Sequence, residues 1–246
     1  MSAAPIAGVA NLTVSVGGED IVTDATVALA PGRVHGLIGG SGAGKSTIGR
    51  AIAGLRPTGA LITGEIVGEG SAGYVPQSPA SSFTPVRRLG PQVAEVLRAN
   101  GGDGRGVVKL LDRVHLPPGT ARMFPHQLSG GMAQRAAIAA ALATGRRVLI
   151  ADEPTSALDP ELTAGVLGLL REVADEGIAV LLISHDTEDL RVAGLCDELS
   201  VMRRGRIVEH GLAERVFGDP GHDYTRALLA ALPSGGMRLT APYERG

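Results

Sequence analysis

The stretch Val34-His35-Gly36-Leu37-Ile38-Gly39-Gly40-Ser41-Gly42-Ala43-Gly44-Lys45-Ser46-Thr47 joins an apolar run to a glycine-rich loop, and a helix-compatible segment continues from Thr47 to Leu55. In that setting the Gly-x-x-x-x-Gly-Lys-Ser spacing has physical content. Glycines let the backbone turn its N–H groups inward around a phosphate chain, where side chains would intrude. The helix that follows points its positive end at the same anion. Lys45 can reach the β- and γ-phosphates, and the Ser46 hydroxyl can ligate Mg²⁺. Gly39, Gly40, Ser41, Gly42, Ala43, Gly44, Lys45, Ser46 and Thr47 are therefore assigned to nucleotide phosphate, with ATP or GTP as the ligand. A chain with 36 glycines offers chance matches; the strand–loop–helix context sets this one apart.

Composition bounds the alternatives. A chain of 246 residues, 44% hydrophobic and 20% charged, fits one large globular domain or a core with a subdomain. A formal net charge of -2 argues against a strongly cationic nucleic-acid binder. The single cysteine, Cys196, excludes an intrachain disulfide framework and an all-cysteine metal cluster; it reads as a small apolar residue near a helix end. No apolar run reaches the length of a membrane span, and no basic segment leads into an apolar stretch at the start of the sequence. A role at a membrane is expected to come through a partner.

The N-terminal part reads as β-structure. Asn11 to Val16 alternates, Gly17-Gly18 offers a turn, and Ile21 to Ala30 is a second strand-like segment. Arg56-Pro57-Thr58-Gly59 stops the loop helix, and Gly64 to Val67 suggests a short strand. From Ser78 to Leu128 the texture changes to short helices punctuated by Pro and Gly, notably Gln92 to Ala99 and Gly106 to Val114. This stretch is expected to be a helical subdomain inserted into an α/β core. The α/β pattern then resumes with an Ala-rich helix over Gly131 to Thr144 and a short buried-type strand over Arg147 to Ala151. A helix over Pro160 to Glu176 leads to a second such strand, Ile178 to Ile183, and a hairpin around Arg204-Gly205 precedes a helix over Asp223 to Leu232.

Two strands thus end at polar residues, as expected where an open α/β sheet binds a ligand at its carboxyl edge. Asp152, beside Ser46, suits Mg²⁺ coordination. Glu153 can accept a proton from an attacking water. His185 can hold the γ-phosphate and that water. His35, His115, His126, His210 and His222 show no ligand spacing, so no metal is assigned to them.

With these residues in view, Leu128-Ser129-Gly130-Gly131-Met132-Ala133-Gln134-Arg135 resembles the signature motif of the ABC transporter ATPases. The resemblance covers essentially the whole chain. It implies an α/β P-loop NTPase core with a mixed sheet, an N-terminal antiparallel β part and an inserted helical subdomain. The implied organisation is one domain over 1–246, with a nucleotide-binding core at 1–77 and 129–232, the helical insertion at 78–128 and a tail at 233–246. It implies that Ser129, Gly130 and Gly131 bind the γ-phosphate of ATP held on a second subunit. Gln77 resembles the glutamine that senses Mg²⁺ and the transmembrane partner, so Ser46, Gln77 and Asp152 form the implied metal set. Ser156-Ala157-Leu158-Asp159 resembles the loop after the catalytic carboxylate, and Glu153, His185 and Gln77 the catalytic group.

Gln77-Ser78-Pro79, Ser82-Phe83-Thr84-Pro85, Phe124-Pro125-His126-Gln127 and Pro220-Gly221-His222-Asp223-Tyr224-Thr225-Arg226 resemble the oligopeptide, dipeptide and nickel importer branch. That implies an ATP-hydrolysing subunit energising uptake of peptides or of nickel or a metal chelate, and the short form resembles the nickel-type members of the branch. The implied partners are a second, non-identical ATPase subunit, two transmembrane permease subunits and an extracytoplasmic substrate-binding protein, with no nucleic acid. The implied place is peripheral, on the cytoplasmic face of the cell membrane. A soluble non-transport ABC ATPase and an exporter ATPase are the alternatives. Two departures stand out: Val16 occupies the position where the family usually stacks an aromatic on adenine, and the segment from Ala53 to Gln77 is short, which implies a reduced antiparallel arm.

Overall fold

The computed structural model describes residues 4–68, 71–156 and 158–231. Alternating residues build an antiparallel sheet at the start of the chain. β1 (Ala7–Val16) turns at Gly17-Gly18 into β2 (Glu19–Leu29), and β4 (Ala60–Val67) pairs with the other edge of β1. β4 begins four residues before the expected Gly64. Gly64, at φ 91, lies inside the strand opposite a register shift of β1 between Ala10 and Thr13, where a Cβ would come within 2.3 Å of the Asn11 carbonyl oxygen. The glycine accommodates a bulge and does not start the strand.

The second sheet runs β5 (Gly73–Val75), β6 (Val148–Asp152), β7 (Ala179–Ser184), β3 (Val34–Gly39), β8 (Glu198–Arg203), β9 (Arg206–Leu212). The first five strands are parallel, and β9 closes the edge antiparallel to β8. The inner strands are buried on both faces, which is why β6 and β7 read as continuous apolar runs. Their residues nonetheless sort by parity. Val148, Ile150, Leu181, Ile183 and Leu37 face α1 (Lys45–Ile52) and the antiparallel sheet. Leu149, Ala151, Val180, Leu182 and Ile38 face the opposite core, which includes α4 (Gly130–Leu142) and α5 (Pro160–Asp175).

The helix α1 begins at Lys45, two residues before the expected Thr47, because Gly44 at φ 101 is the residue that turns the loop into the helix. α4 is buried on more than one face: Ala136, Ala137, Ile138 and Ala139 are all buried, so its small residues serve close packing from several sides. Between β5 and α4 lie α2 (Leu89–Ala99), α3 (Val107–Arg113) and several short 3₁₀ turns. There the Gln92 amide staples an irregular segment, accepting from the Thr84 N–H at 2.7 Å and donating to the Thr84 and Arg87 carbonyls. Two short helices, α6 (Thr187–Ala193) and α7 (Ala213–Gly218), and strand β5 were not expected from the sequence. α8 (Asp223–Ala230) matches the expected C-terminal helix; Leu232 and the tail 233–246 lie outside the described residues.

Asp197, on the approach to β8, ties three elements together. Its carboxylate accepts the Val34 N–H at 2.8 Å and Arg171 of α5 at 2.9 Å, and it pairs with Arg33. Arg171 also donates to the Gly32 carbonyl at 2.8 Å. Burial pushes the Asp197 carboxyl up, but the Val34 N–H and the two guanidiniums outweigh it and hold the carboxyl below the ordinary 3.8. A folded-state value depressed in this way stabilises the fold above 3.8, and that contribution is lost as pH falls through the lower folded value. Asp197→Ala is expected to lower unfolding free energy by about 2 kcal/mol in urea titrations at pH 7. The deficit relative to the parental chain should shrink below pH 3.8.

Candidate functional site

The carboxyl ends of β3, β6 and β7 lie side by side, because the three strands are parallel neighbours in register: Ile38 opposes Ser184, and Asp152 opposes Ile183. The loop from Gly39 to Gly44 leaves β3 at this edge. Lys45, only 5% exposed, folds back so that its Nζ donates to the Gly39 and Gly40 carbonyls at 2.8 and 3.0 Å. Burial lowers the Lys45 pKa, while the charges of Glu153 and Asp152 oppose the shift. The loop is braced from outside by the β8–β9 turn, where the Gly205 N–H donates to the Ala43 carbonyl at 3.0 Å. Ser41 and Gly42, at its tip, are exposed.

Ser46, in the first turn of α1, donates its hydroxyl to Asp152 Oδ1 at 2.8 Å. The other Asp152 oxygen, Oδ2, accepts the hydroxyl of Tyr74 at 2.6 Å, and Tyr74 in turn accepts from Arg50 Nε at 3.3 Å. Tyr74 and Arg50 escaped the sequence reading. β5 pairs with β6 so that Tyr74 lies opposite Ile150, on the side facing α1, and its ring carries the hydroxyl to the strand's end. Only that non-local pairing reveals it. Burial and the Asp152 carboxylate push the Tyr74 hydroxyl up to about 12, which keeps it a donor.

Glu153 follows Asp152 in a left-handed conformation, φ 51, with its N–H bonded to the Ile183 carbonyl at 2.9 Å. Such a conformation costs a non-glycine residue about 1–3 kcal/mol, and it turns the side chain out of the strand's alternation. The Glu153 Oε2 receives Gln77 Nε2 at 2.7 Å and lies 3.1 Å from His185 Nδ1. Gln77, Glu153 and His185, widely separated in sequence, thus meet at one oxygen. Glu153 and His185 also line a 150 Å³ cleft with Thr155, Ser156, Asp186 and Asp189.

Ser129 caps α4, its Oγ accepting the Met132 N–H at 3.3 Å. A Cβ on Gly131 would sit 2.9 Å from the tip of the Leu162 side chain, so this turn rests closely against the start of α5. Among the described residues, no hydrogen bond joins Ser129, Gly130 or Gly131 to residues 39–47 of the same chain. Asp159 caps α5 by accepting the Leu162 N–H at 2.9 Å, a structural role, while Ala157 lies outside the described residues. His35 and His210, unlinked by sequence spacing, stack at 5.6 Å and share the Ser200 hydroxyl, at 2.9 and 3.2 Å. Among the described residues no group of three His, Cys, Asp or Glu side chains is placed to hold a metal.

The sequence profile described as ABC transporter matches residues 22–156. The chain belongs to the ABC transporter family. It is 36% identical to the oligopeptide transport ATP-binding protein OppD of Haemophilus influenzae, over 93% of this chain and 79% of that one. It is also 36% identical to OppD of Salmonella typhimurium, over 92% of this chain and 76% of the relative. Among solved structures it resembles cbiO1 of Clostridium perfringens, part of the ABC transporter complex cbiONQ, with a TM-score of 0.75 at 26% identity over 95% of this chain and 98% of that one. An ATP-binding subunit of an ABC transporter superposes with a TM-score of 0.72 at 26% identity, over 92% and 99% of the two chains. As a member of this family the chain is an ABC-type ATPase with the mixed α/β fold expected of it. Among the described residues no helix is long and apolar enough to cross a membrane.

The Tyr74 environment is directly measurable. In an alkaline ultraviolet titration Tyr74 should ionise near pH 12, above the ordinary 10.0, and that step should vanish in Tyr74→Phe. A folded value raised for this acid means stability that is full below 10.0 and lost as pH rises through about 12. If the step lost in Tyr74→Phe lies near 10.0, the hydroxyl faces solvent and does not hold Asp152.

Proposed function

We infer that this chain is the ATP-hydrolysing subunit of an ABC importer and that its site works by in-line attack of water on the γ-phosphate of ATP. The observation that carries the reading is the meeting of Gln77 and His185 on the Glu153 carboxylate, beside the Ser46–Asp152 pair and the buried Lys45. In this reading the loop from Gly39 to Thr47 cradles the phosphates with backbone N–H groups, and Lys45 neutralises charge that develops there. Glu153 accepts a proton from the water as its oxygen bonds to phosphorus and the bond to the ADP oxygen breaks. Contacts from Gln77 and His185 fix the rotation of that carboxylate, and His185 also positions the water.

The Ser46 hydroxyl and Asp152 carboxylate, oxygen donors joined at 2.8 Å, are the donor chemistry that Mg²⁺ takes, with Gln77 as a further ligand at the same edge. The ion would supply charge neutralisation on the β- and γ-phosphates. Tyr74 holds the second Asp152 oxygen and so sets the orientation in which the first is presented.

Ser129, Gly130 and Gly131 form a hydroxyl and bare N–H groups at a helix start, a second anion site that, among the described residues, makes no hydrogen bond to the chain's own loop. The reading therefore pairs two ATPase subunits head to tail, each turn closing over the partner's ATP. The second subunit is taken as non-identical, with two permease subunits, an extracytoplasmic binding protein and a place on the cytoplasmic face of the membrane. Residues 78–128 serve as the inserted helical subdomain, and Gln77, just before it, senses the transmembrane partner. Between peptide and nickel or metal-chelate cargo, the likeness to OppD, an oligopeptide transport ATP-binding protein, favours peptides.

Glu153→Gln should keep ATP binding yet lower hydrolysis about a hundredfold or more in the assembled transporter, because an amide cannot take the proton. Lys45→Ala should weaken binding itself. Parental turnover by Glu153→Gln would remove Glu153 from the base role.

A further inference from the structure

The terminal motif Pro220-Gly221-His222-Asp223-Tyr224-Thr225-Arg226, assigned above only to a branch of the family, reaches the phosphate loop. Most of its polar groups are spent on holding itself in place. Glu209 of β9 accepts the Gly221 N–H at 2.6 Å and the His222 N–H at 3.1 Å through its two carboxylate oxygens. His222 Nδ1 accepts the Tyr224 N–H at 3.0 Å and caps α8. Arg226 donates to the Pro220 carbonyl at 2.6 Å and pairs with Asp223. One contact leads elsewhere: the Tyr224 hydroxyl accepts the Gly40 N–H at 3.1 Å.

That N–H belongs to the peptide between Gly39 and Gly40. Its carbonyl, Gly39 O, is the one that accepts Lys45 Nζ at 2.8 Å. In a trans peptide the N–H and C=O point to opposite sides, so Tyr224 and Lys45 hold a single planar unit from its two edges. Bonds in such a chain polarise one another: the ammonium draws on the carbonyl, which makes the amide a better donor to the tyrosine oxygen. The Arg203 guanidinium lies 4.9 Å from the centre of the Tyr224 ring and fixes its plane. Arg203 also ends β8, one residue before the turn whose Gly205 N–H braces Ala43 at the other end of the loop.

The geometry points to Tyr224 as a positioning residue for the phosphate grip: its hydroxyl fixes the 39–40 peptide and, through that peptide's carbonyl, the place of the Lys45 ammonium. The terminal motif then acts as a clamp, with Glu209 setting the start of α8, α8 presenting the ring and Arg203 holding it against the loop. The role rests on reading the loop as a nucleotide phosphate site.

Tyr224→Phe in the full chain removes the accepting oxygen and keeps the ring and its arginine. Binding of ADP with Mg²⁺, followed by calorimetry under conditions where both proteins are folded, should weaken about threefold to tenfold, the value of one hydrogen bond. In ¹⁵N spectra the Gly40 amide proton should move upfield, with changes confined to residues 39–45 and the neighbours of Tyr224. Equal ADP affinity in the two proteins, an unmoved Gly40 amide, or changes spread over the whole spectrum would each overturn the role. If the parental chain itself fails to bind ADP, the phosphate reading falls and this role with it. Should Tyr224→Phe fail to fold, Arg203→Met carries the same test by removing the cation over the ring. Weaker ADP binding with a displaced Gly40 amide supports the clamp, and parental binding overturns it.

Discussion

A buried ammonium governs the architecture around the loop. Lys45 is almost wholly removed from water, and an ammonium in that position is tolerated only if its charge is answered locally. Two carbonyls of its own loop and the nearby charges of Asp152 and Glu153 supply the answer. Each of those groups needs a fixed place. The carbonyls require the tight turn from Gly39 to Gly44, and the carboxylates require β6 to end level with β3. β7 lies between them in the sheet and keeps both strands parallel and in register. The sheet is buried on both faces because α1 and the antiparallel strands cover one side and α4 and α5 the other. The packing that stabilises the chain is thus the same packing that brings the polar strand ends together.

Two devices sharpen that edge. The left-handed turn at Glu153 separates neighbouring carboxylates into different surroundings. Asp152 stays buried among hydroxyls on the α1 side, while Glu153 meets Gln77 and His185 at the cleft. Tyrosines at two points, Tyr74 and Tyr224, then extend the network outward to Arg50 and Arg203. In both cases an aromatic body anchors in the apolar core while its hydroxyl reaches a polar group of the site.

The sequence already disclosed the groups whose chemistry depends on local spacing. Gly39 to Thr47, the apolar runs of β6 and β7, and the polar residues that end them are readable because a loop, a buried strand and a strand end are local patterns. Ser129-Gly130-Gly131 is readable by family resemblance. Contacts made across the sheet were hidden. Tyr74 meets Asp152 only because β5 pairs with β6, and Tyr224 meets Gly40 across 184 residues of sequence. His35 and His210, which spacing left unrelated, stack because β8 lies between β3 and β9. Gly64 misled the placement of β4 because a glycine set in a strand opposite a neighbour's bulge looks, in sequence, like a turn. Asp159 shows the converse: a position singled out by motif also has an ordinary task as a helix cap.

The central claim is that the Ser129-Gly130-Gly131 turn serves ATP bound to another subunit and not the ATP at its own Lys45. Vanadate trapping of a photoreactive ATP analogue, in a transporter reconstituted with this chain carrying Ser129→Arg and its ATPase partner, measures this directly. The account expects trapped label to disappear from the partner subunit and to persist on this chain. Loss of label from this chain, with the partner still labelled, would contradict it.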